Sequence, residues 1–220
     1  MNIFDIIGPV MIGPSSSHTA GVVRIGYSVY KIAGYTPNDI KIKFHGSFAR
    51  TYVGHGSDKA IIAGLLGFKT DSVEIRTSHE IAKERGVNFS FETIELANAH
   101  PNTVVVECTL ENKDTLTVVA ESIGGGNFII RRINDICLEF DGKYNSIIIN
   151  HIDIKGMIFN VTKILANENI NIAQMKVSRT RKGGHALMVI EIDGDFDKEI
   201  IGKLRNTENI RNATLIRGIN

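Results

Sequence analysis

Apolar residues return every third or fourth position through Val22, Ile25, Val29 and Ile32, and the run closes on Gly34. That spacing predicts an amphipathic helix with a glycine stop. The period then changes. In "DIKIKFHG", Ile40, Ile42 and Phe44 alternate with Lys41 and Lys43, the pattern of a half-buried strand. "SDKAIIAGLLGF" predicts a short buried helix starting near Ser57 or Asp58, whereas "TSHEIAKERG" suits either helix or loop. From Asn88 to Phe140 the pattern predicts four or five strands, joined at "AHPNT", "ENKD", "SIGGGN" and "RIND".

A seam follows at "EFDGKYNS", residues 139–146, where Asp-Gly signals a turn. Beyond it the order is simple. "NSIIINHID" reads as a strand and "KGMIFNVTKILANEN" as an amphipathic helix. "INIAQMKVSRTRKGGHALMVIEID" reads as two strands joined at Lys182-Gly183-Gly184, "DKEIIGKLRNTE" as a second helix and "IRNATLIRGI" as a last strand. This β-α-β-β-α-β order is the ferredoxin-like unit. The expected class is α+β, with a mixed α+β domain over residues 1–142 and a ferredoxin-like domain over 143–220.

Length agrees with two domains, since 220 residues exceed the ~100–200 typical of one. A charged fraction of 22% and a net charge of +1, with no basic tract, recommend neither nucleic acid nor an anionic membrane as partner. No apolar run approaches the ~20 residues of a membrane helix. "MNIFDIIGPV" lacks a basic n-region and a small-residue cleavage site, so no signal peptide is expected and the location expected is the cytoplasm. Cys108 and Cys137 each fall in a strand-like stretch with no CxxC, and both read as buried, inert thiols.

Four stretches carry more chemistry than a core needs. "GPSSSHTAG" precedes the first helix, where hydroxyls cap free N–H groups and the helix dipole favours a carboxylate or phosphate. One serine suffices for a cap; Ser15, Ser16, Ser17, His18 and Thr19 exceed that. A serine hydrolase is disfavoured, because adjacent Ser17 and His18 rarely aim at each other, and neither a G-x-S-x-G elbow nor a third member is present. In "FHGSFARTYVGHGSDKA", His55 stands between two glycines ahead of a helix, free to exchange a proton near neutral pH. His79 and His185 read as surface residues. His100-Pro101-Asn102 is a turn by composition. Gly124 to Gly126 exceed a tight hairpin alone and predict a bulge or a close backbone approach, not a dinucleotide site.

The ordered set "MIGPSSSHTAG", "FHGSFARTYVGHGSDKA", "NAHPNT" and "SIGGGNFIIRRI", with the C-terminal unit, resembles the beta chain of iron–sulfur-dependent L-serine dehydratase (L-serine ammonia-lyase) over nearly the whole chain. The resemblance implies an ACT domain from about Tyr144, and an N-terminal domain like the allosteric substrate-binding domain of some phosphoglycerate dehydrogenases. It implies conversion of L-serine to pyruvate and ammonia without pyridoxal phosphate, in a heterodimer whose cysteine-rich alpha chain holds a 4Fe-4S cluster. Neither cysteine here fits such a cluster, so this chain is expected to hold no metal and to be inactive alone. By motif, His18 and His55 are the implied catalytic residues, with the base unassigned between them, and Ser15, Ser16, Ser17 and Thr19 the implied holders of the substrate carboxylate. His45 stands where the family pattern has an aromatic, and takes no role. In the ACT unit, Gly156 falls at the ligand-contact turn, and Asn169 and Asn171 at the edge through which such units self-associate. The alternative is a stand-alone amino-acid-sensing regulatory subunit.

Overall fold

The computed structural model describes residues 10–194 and 199–218. The stretch read for a targeting signal, apart from Val10, lies outside the described residues, as do the first two positions of "DKEIIGKLRNTE". Among the described residues no helix is long and apolar enough to cross a membrane. The chain divides into two compact units: one runs up to Asn134 and includes Glu139–Asp141, and the other comprises Asp135–Leu138 and Gly142 onward.

In the first unit a wide, π-helical turn, Ser16–Ala20, runs directly into α1, Gly21–Ala33, which stops at Gly34 with φ 88°. Strand β1, Asp39–His45, follows with Ile40, Ile42 and Phe44 buried, the predicted alternation. Three short helices come next: α2, Gly46–Thr51; α3, Ser57–Leu65; and α4, Ser78–Glu84, the last settling "TSHEIAKERG" as helix. Between α3 and α4 lies a single 3-10 turn, Val73–Thr77. Five strands then follow: β2, Asn88–Ile94; β3, Thr103–Thr109; β4, Thr115–Gly124; β5, Asn127–Ile133; and β6, Ile136–Phe140, of which residues 136–138 are counted with the second unit.

These strands form one sheet in the order β2-β1-β3-β4-β5-β6. β1 and β2 pair in parallel, which the long helical crossover between them permits, and the pairs β1–β3, β3–β4 and β4–β5 are antiparallel. α1 packs on β4 and β5 and, on its other side, against α3. Val22, Ile25 and Val29 of α1 and Ile61, Ile62 and Leu65 of α3 are essentially solvent-free. Each such side chain contributes about 1.5–3 kcal/mol by leaving water. The two helices touch backbone to backbone. A Cβ on Gly64 would lie 2.1 Å from the Val23 carbonyl oxygen, and one on Gly26 would lie 2.4 Å from that of Ile61.

Two sequence expectations, for Cys137 and His79, need correction, and the bulge expected at the glycine run is present. Gly125 and Gly126, at φ 61° and 79°, form a two-residue hairpin beside it, with Gly124 paired to Asn127. Positive φ at both central positions gives the turn whose twist matches the strands, and the register shifts beside it, between Ser122 and Gly124. Cys137 is exposed rather than buried, because Ile136, Leu138 and Phe140 occupy the inward positions of β6. Cys108 is buried as expected, and desolvation, then Glu107, pushes its thiol up to about 12. His79 is half-buried against the rings of Phe89 and Phe91, at 5.1 and 5.7 Å, not a surface residue; His185 is exposed.

The second unit contains β7, Asn145–Ile152; α5, Met157–Asn167; β8, Ile172–Arg179; β9, His185–Ile192; α6, Glu199–Arg205; and β10, Ile210–Ile216. Its antiparallel sheet has the order β10-β7-β9-β8, the ferredoxin-like arrangement. Ile147, Ile149, Met188 and Ile190 of the central strands meet Val161, Leu165 and Leu204 of the helices in one core. Gly156, at φ 84°, immediately precedes α5. Asn169 adopts φ 55° after that helix, and Asn171 donates to the Asp193 carboxylate at 2.6 Å, just ahead of the edge strand β8.

Gly64→Ala is expected to cost about 3 kcal/mol or more, because backbone rather than a flexible side chain blocks the new methyl group. Gly202→Ala, in α6 with nothing near its Cβ, is expected to stabilise by about 0.5–1 kcal/mol. Urea unfolding midpoints of the two variants check both signs.

Candidate active site

The N-terminus of the first helical segment is capped by Ser15, whose side chain accepts from the His18 amide at 3.1 Å. The first main-chain bond of the turn runs from the Thr19 amide to the Ser15 carbonyl at 2.8 Å. The amides of Ser16 and Ser17 stand ahead of it, where a helix has no internal acceptors to offer. The three serine hydroxyls are only half-buried, so amide and hydroxyl donors share one accessible turn.

Three hydroxyl-to-carbonyl bonds, two into the turn and one out of it, lock this turn in place. Ser57, at the start of α3 and fully buried, donates to the His18 carbonyl at 2.7 Å. Thr19, only 2% exposed, donates to the His55 carbonyl at 3.2 Å. Ser122, just before the glycine hairpin, donates to the Ser17 carbonyl at 2.8 Å. The turn is thus tied to the α3 entrance by a reciprocal pair of bonds, and to the end of β4 by a third. Gly21 is required beside that third tie, since a Cβ there would lie 2.3 Å from Ser122 Oγ.

The consequence is a histidine pair. The rings of His18 and His55 lie 4.8 Å apart with a 42° tilt, and Phe48 of α2 meets His18 edge-on at 5.0 Å. Nε2 of His18 and Nδ1 of His55 are buried and have no hydrogen-bond partner among the described residues. Burial, and then the neighbouring His55, hold the His18 pKa below its ordinary value of 6.5. Both causes penalise a second positive charge, so the neutral ring is favoured. His18 Nδ1 lies 3.1 Å from Ser17 Oγ and 3.5 Å from Ser15 Oγ.

The fold therefore brings His18, His55, Ser15, Ser16 and Ser17 together, whereas Thr19 spends its hydroxyl on holding the His55 loop. The expectation that Ser17 and His18 would not aim at each other is corrected, since the wide turn brings them within hydrogen-bond reach. No acid completes a triad, because His18 Nε2 lacks a partner. His45 is internal, its Nδ1 accepting from the Leu96 amide at 3.2 Å. His100 Nδ1 accepts from the Asn102 amide at 3.1 Å, so the histidine rather than the asparagine ties that turn. Sequence reasoning missed Phe48 and the task of Ser122. A serine ahead of three glycines was the available signal for Ser122, but its acceptor lies 105 positions away.

A family model described as "Serine dehydratase beta chain" matches residues 2–90, and one described as "ACT domain" matches residues 145–209. The chain is 42% identical to "Probable L-serine dehydratase, beta chain" of Bacillus subtilis (strain 168), over 98% of this chain and 97% of that one. It is 35% identical to "L-serine dehydratase, beta chain" of Peptoniphilus asaccharolyticus, over 97% and 96% respectively. A "D-3-phosphoglycerate dehydrogenase" of Bacillus subtilis is 31% identical across 88% of this chain but only 37% of its own length.

Ser57→Ala is expected to lower stability by about 1–2 kcal/mol, since it removes a buried hydrogen bond between α3 and the turn. Ser16→Ala, which breaks no bond among the described residues, is expected to stay within about 0.5 kcal/mol. Chemical denaturation of both variants measures the difference.

Proposed function

The chain belongs to the L-serine dehydratase beta-chain family, and from that premise we propose that it works with a separate alpha chain to convert L-serine to pyruvate and ammonia in the cytoplasm. The observation that carries this reading is the His18–His55 pair, two rings 4.8 Å apart that each bury an unpartnered nitrogen beside the start of a helical segment.

A 4Fe-4S cluster does not fit this chain. Cluster ligands must be thiolates. Cys108 is buried with its thiol pushed up to about 12, Cys137 is exposed on another strand, and no group of three or more His, Cys, Asp or Glu could hold a metal among the described residues. In this reading the cluster resides on the alpha chain, and Lewis acidity toward the leaving hydroxyl is that chain's contribution. What this chain supplies is anion binding and proton transfer.

The substrate carboxylate takes the Ser16 and Ser17 amides and the serine hydroxyls at the positive end of the helical segment. His18 with its proton on Nδ1, donated to Ser17 Oγ, keeps Nε2 bare to remove the α-proton. His55, 4.8 Å away ring to ring, orients the hydroxyl or protonates it as it leaves. Loss of water gives aminoacrylate, which tautomerises to an imine and hydrolyses to pyruvate and ammonia. In the ACT unit, the turn at Gly156 takes an amino-acid effector, and the edge at Asn169 and Asn171 joins a second copy.

Anaerobic co-expression with the alpha chain, followed by a serine-to-pyruvate assay on each chain and on the pair, tests the division of labour. Activity is expected only in the pair; a pair without turnover removes the lyase reading. His55→Ala is expected to lower turnover at least about 100-fold while the chains still co-purify, and near-normal turnover would take His55 out of the mechanism. The base must be neutral, and the His18 pKa is lowered. The acid limb of kcat/KM is therefore expected with its midpoint below pH 6.5, and a pH–rate profile of the pair measures it.

A further inference from the structure

A cavity of about 210 Å³ opens beside His55 and borders the serine turn at Thr19. Its walls include Pro14, Thr19, His55, Gly56, Lys59 and Arg76, but not Ser15, Ser16, Ser17 or His18. Two features give it a chemistry. Two basic residues, Lys59 and Arg76, and no acidic residue line it. Neither cation has an ion pair among the described residues: Lys59 Nζ donates only to the Arg76 carbonyl, at 3.0 Å, which fixes the ammonium against the turn that carries Arg76. The acidic neighbour in sequence, Asp58, is engaged elsewhere, 3.8 Å from His79 Nε2.

Two like charges at one concavity attract a small anion, because their mutual repulsion falls when it binds. A guanidinium forks onto a carboxylate through two parallel bonds, and an ammonium adds a point charge. The volume is below the ~300 Å³ at which pockets for drug-sized ligands begin, so the ligand is a metabolite of few atoms. Ile12 and Ile75 supply an apolar wall for its remainder. With no carboxylate in the walls, an amino acid's ammonium would face cations, which disfavours amino acids against carboxylates lacking one.

We propose that this cavity binds a small 2-oxo monocarboxylate, with Arg76 as the fork and Lys59 as the point charge. The site goes beyond the lyase reading and does not need it; that reading adds only that pyruvate, its product, is a ligand of the right class. The site then reports product accumulation at the back of the His55 loop.

The test is titration of the full chain, without its alpha partner, with pyruvate and separately with L-serine, followed by amide chemical shifts or calorimetry. Saturable pyruvate binding is expected, at least about tenfold tighter than serine, and about tenfold weakened by Arg76→Gln and by Lys59→Gln. Arg76 is exposed, so Arg76→Gln is expected to keep the wild-type urea midpoint and to report binding rather than folding. The proposal falls if pyruvate does not saturate, if serine binds equally well, or if binding survives both substitutions. It falls too if Ser17→Ala weakens pyruvate while Arg76→Gln does not, since the ligand would then sit in the serine turn. Failure of the lyase reading shows in the co-expression assay and leaves this measurement untouched.

Discussion

Hydroxyl-to-carbonyl bonds hold the candidate site in shape. Ser57 gives its proton to the His18 carbonyl, Thr19 gives its own to that of His55, and Ser122 gives its own to that of Ser17, so three side-chain bonds join segments far apart in the chain. The tie therefore fixes the wide turn, the α3 entrance and the end of β4 relative to one another. The histidine pair is a by-product of that geometry, since neither imidazole makes a strong bond to the other.

The same constraint explains why so many small residues surround the site. Gly26 and Gly64 let α1 and α3 touch along their backbones, and that contact carries the two helix starts close enough for the Ser57 and Thr19 bonds to form. Gly21 leaves room for the Ser122 hydroxyl. Polar economy at the helix ends and apolar packing along their lengths are two halves of one arrangement. Polar groups are left over at that end: among the described residues, Nε2 of His18 and Nδ1 of His55 are buried without partners. Proteins seldom tolerate such groups unless they serve a ligand.

Much of the fold was legible, and the reasons are local. Period-2 and period-3.6 patterns marked β1, α1 and the whole βαββαβ unit, because each of those elements has one wet and one dry face. "TSHEIAKERG" stayed ambiguous because α4 is short, and only contact with α3 decides it. Cys137 misled through its strand-like neighbours; the alternation of "ICLEF" already put it opposite Ile136 and Leu138. The glycine triplet exceeded a hairpin alone because a two-residue turn and an adjoining bulge share one run of residues.

The site divides along the same line. Sequence by itself determined which residue types lie at each helix start, that the two cysteines stand far apart with no CxxC, and that a capped helix start carries surplus hydroxyls, since all of these follow from neighbours along the chain. Tertiary structure alone decided that His18 and His55 meet, that Thr19 holds a loop rather than facing outward, and that Lys59 and Arg76 share a cavity. Those facts join positions tens of residues apart, and only the packing of α1 against α3 and of the sheet beneath them sets such distances.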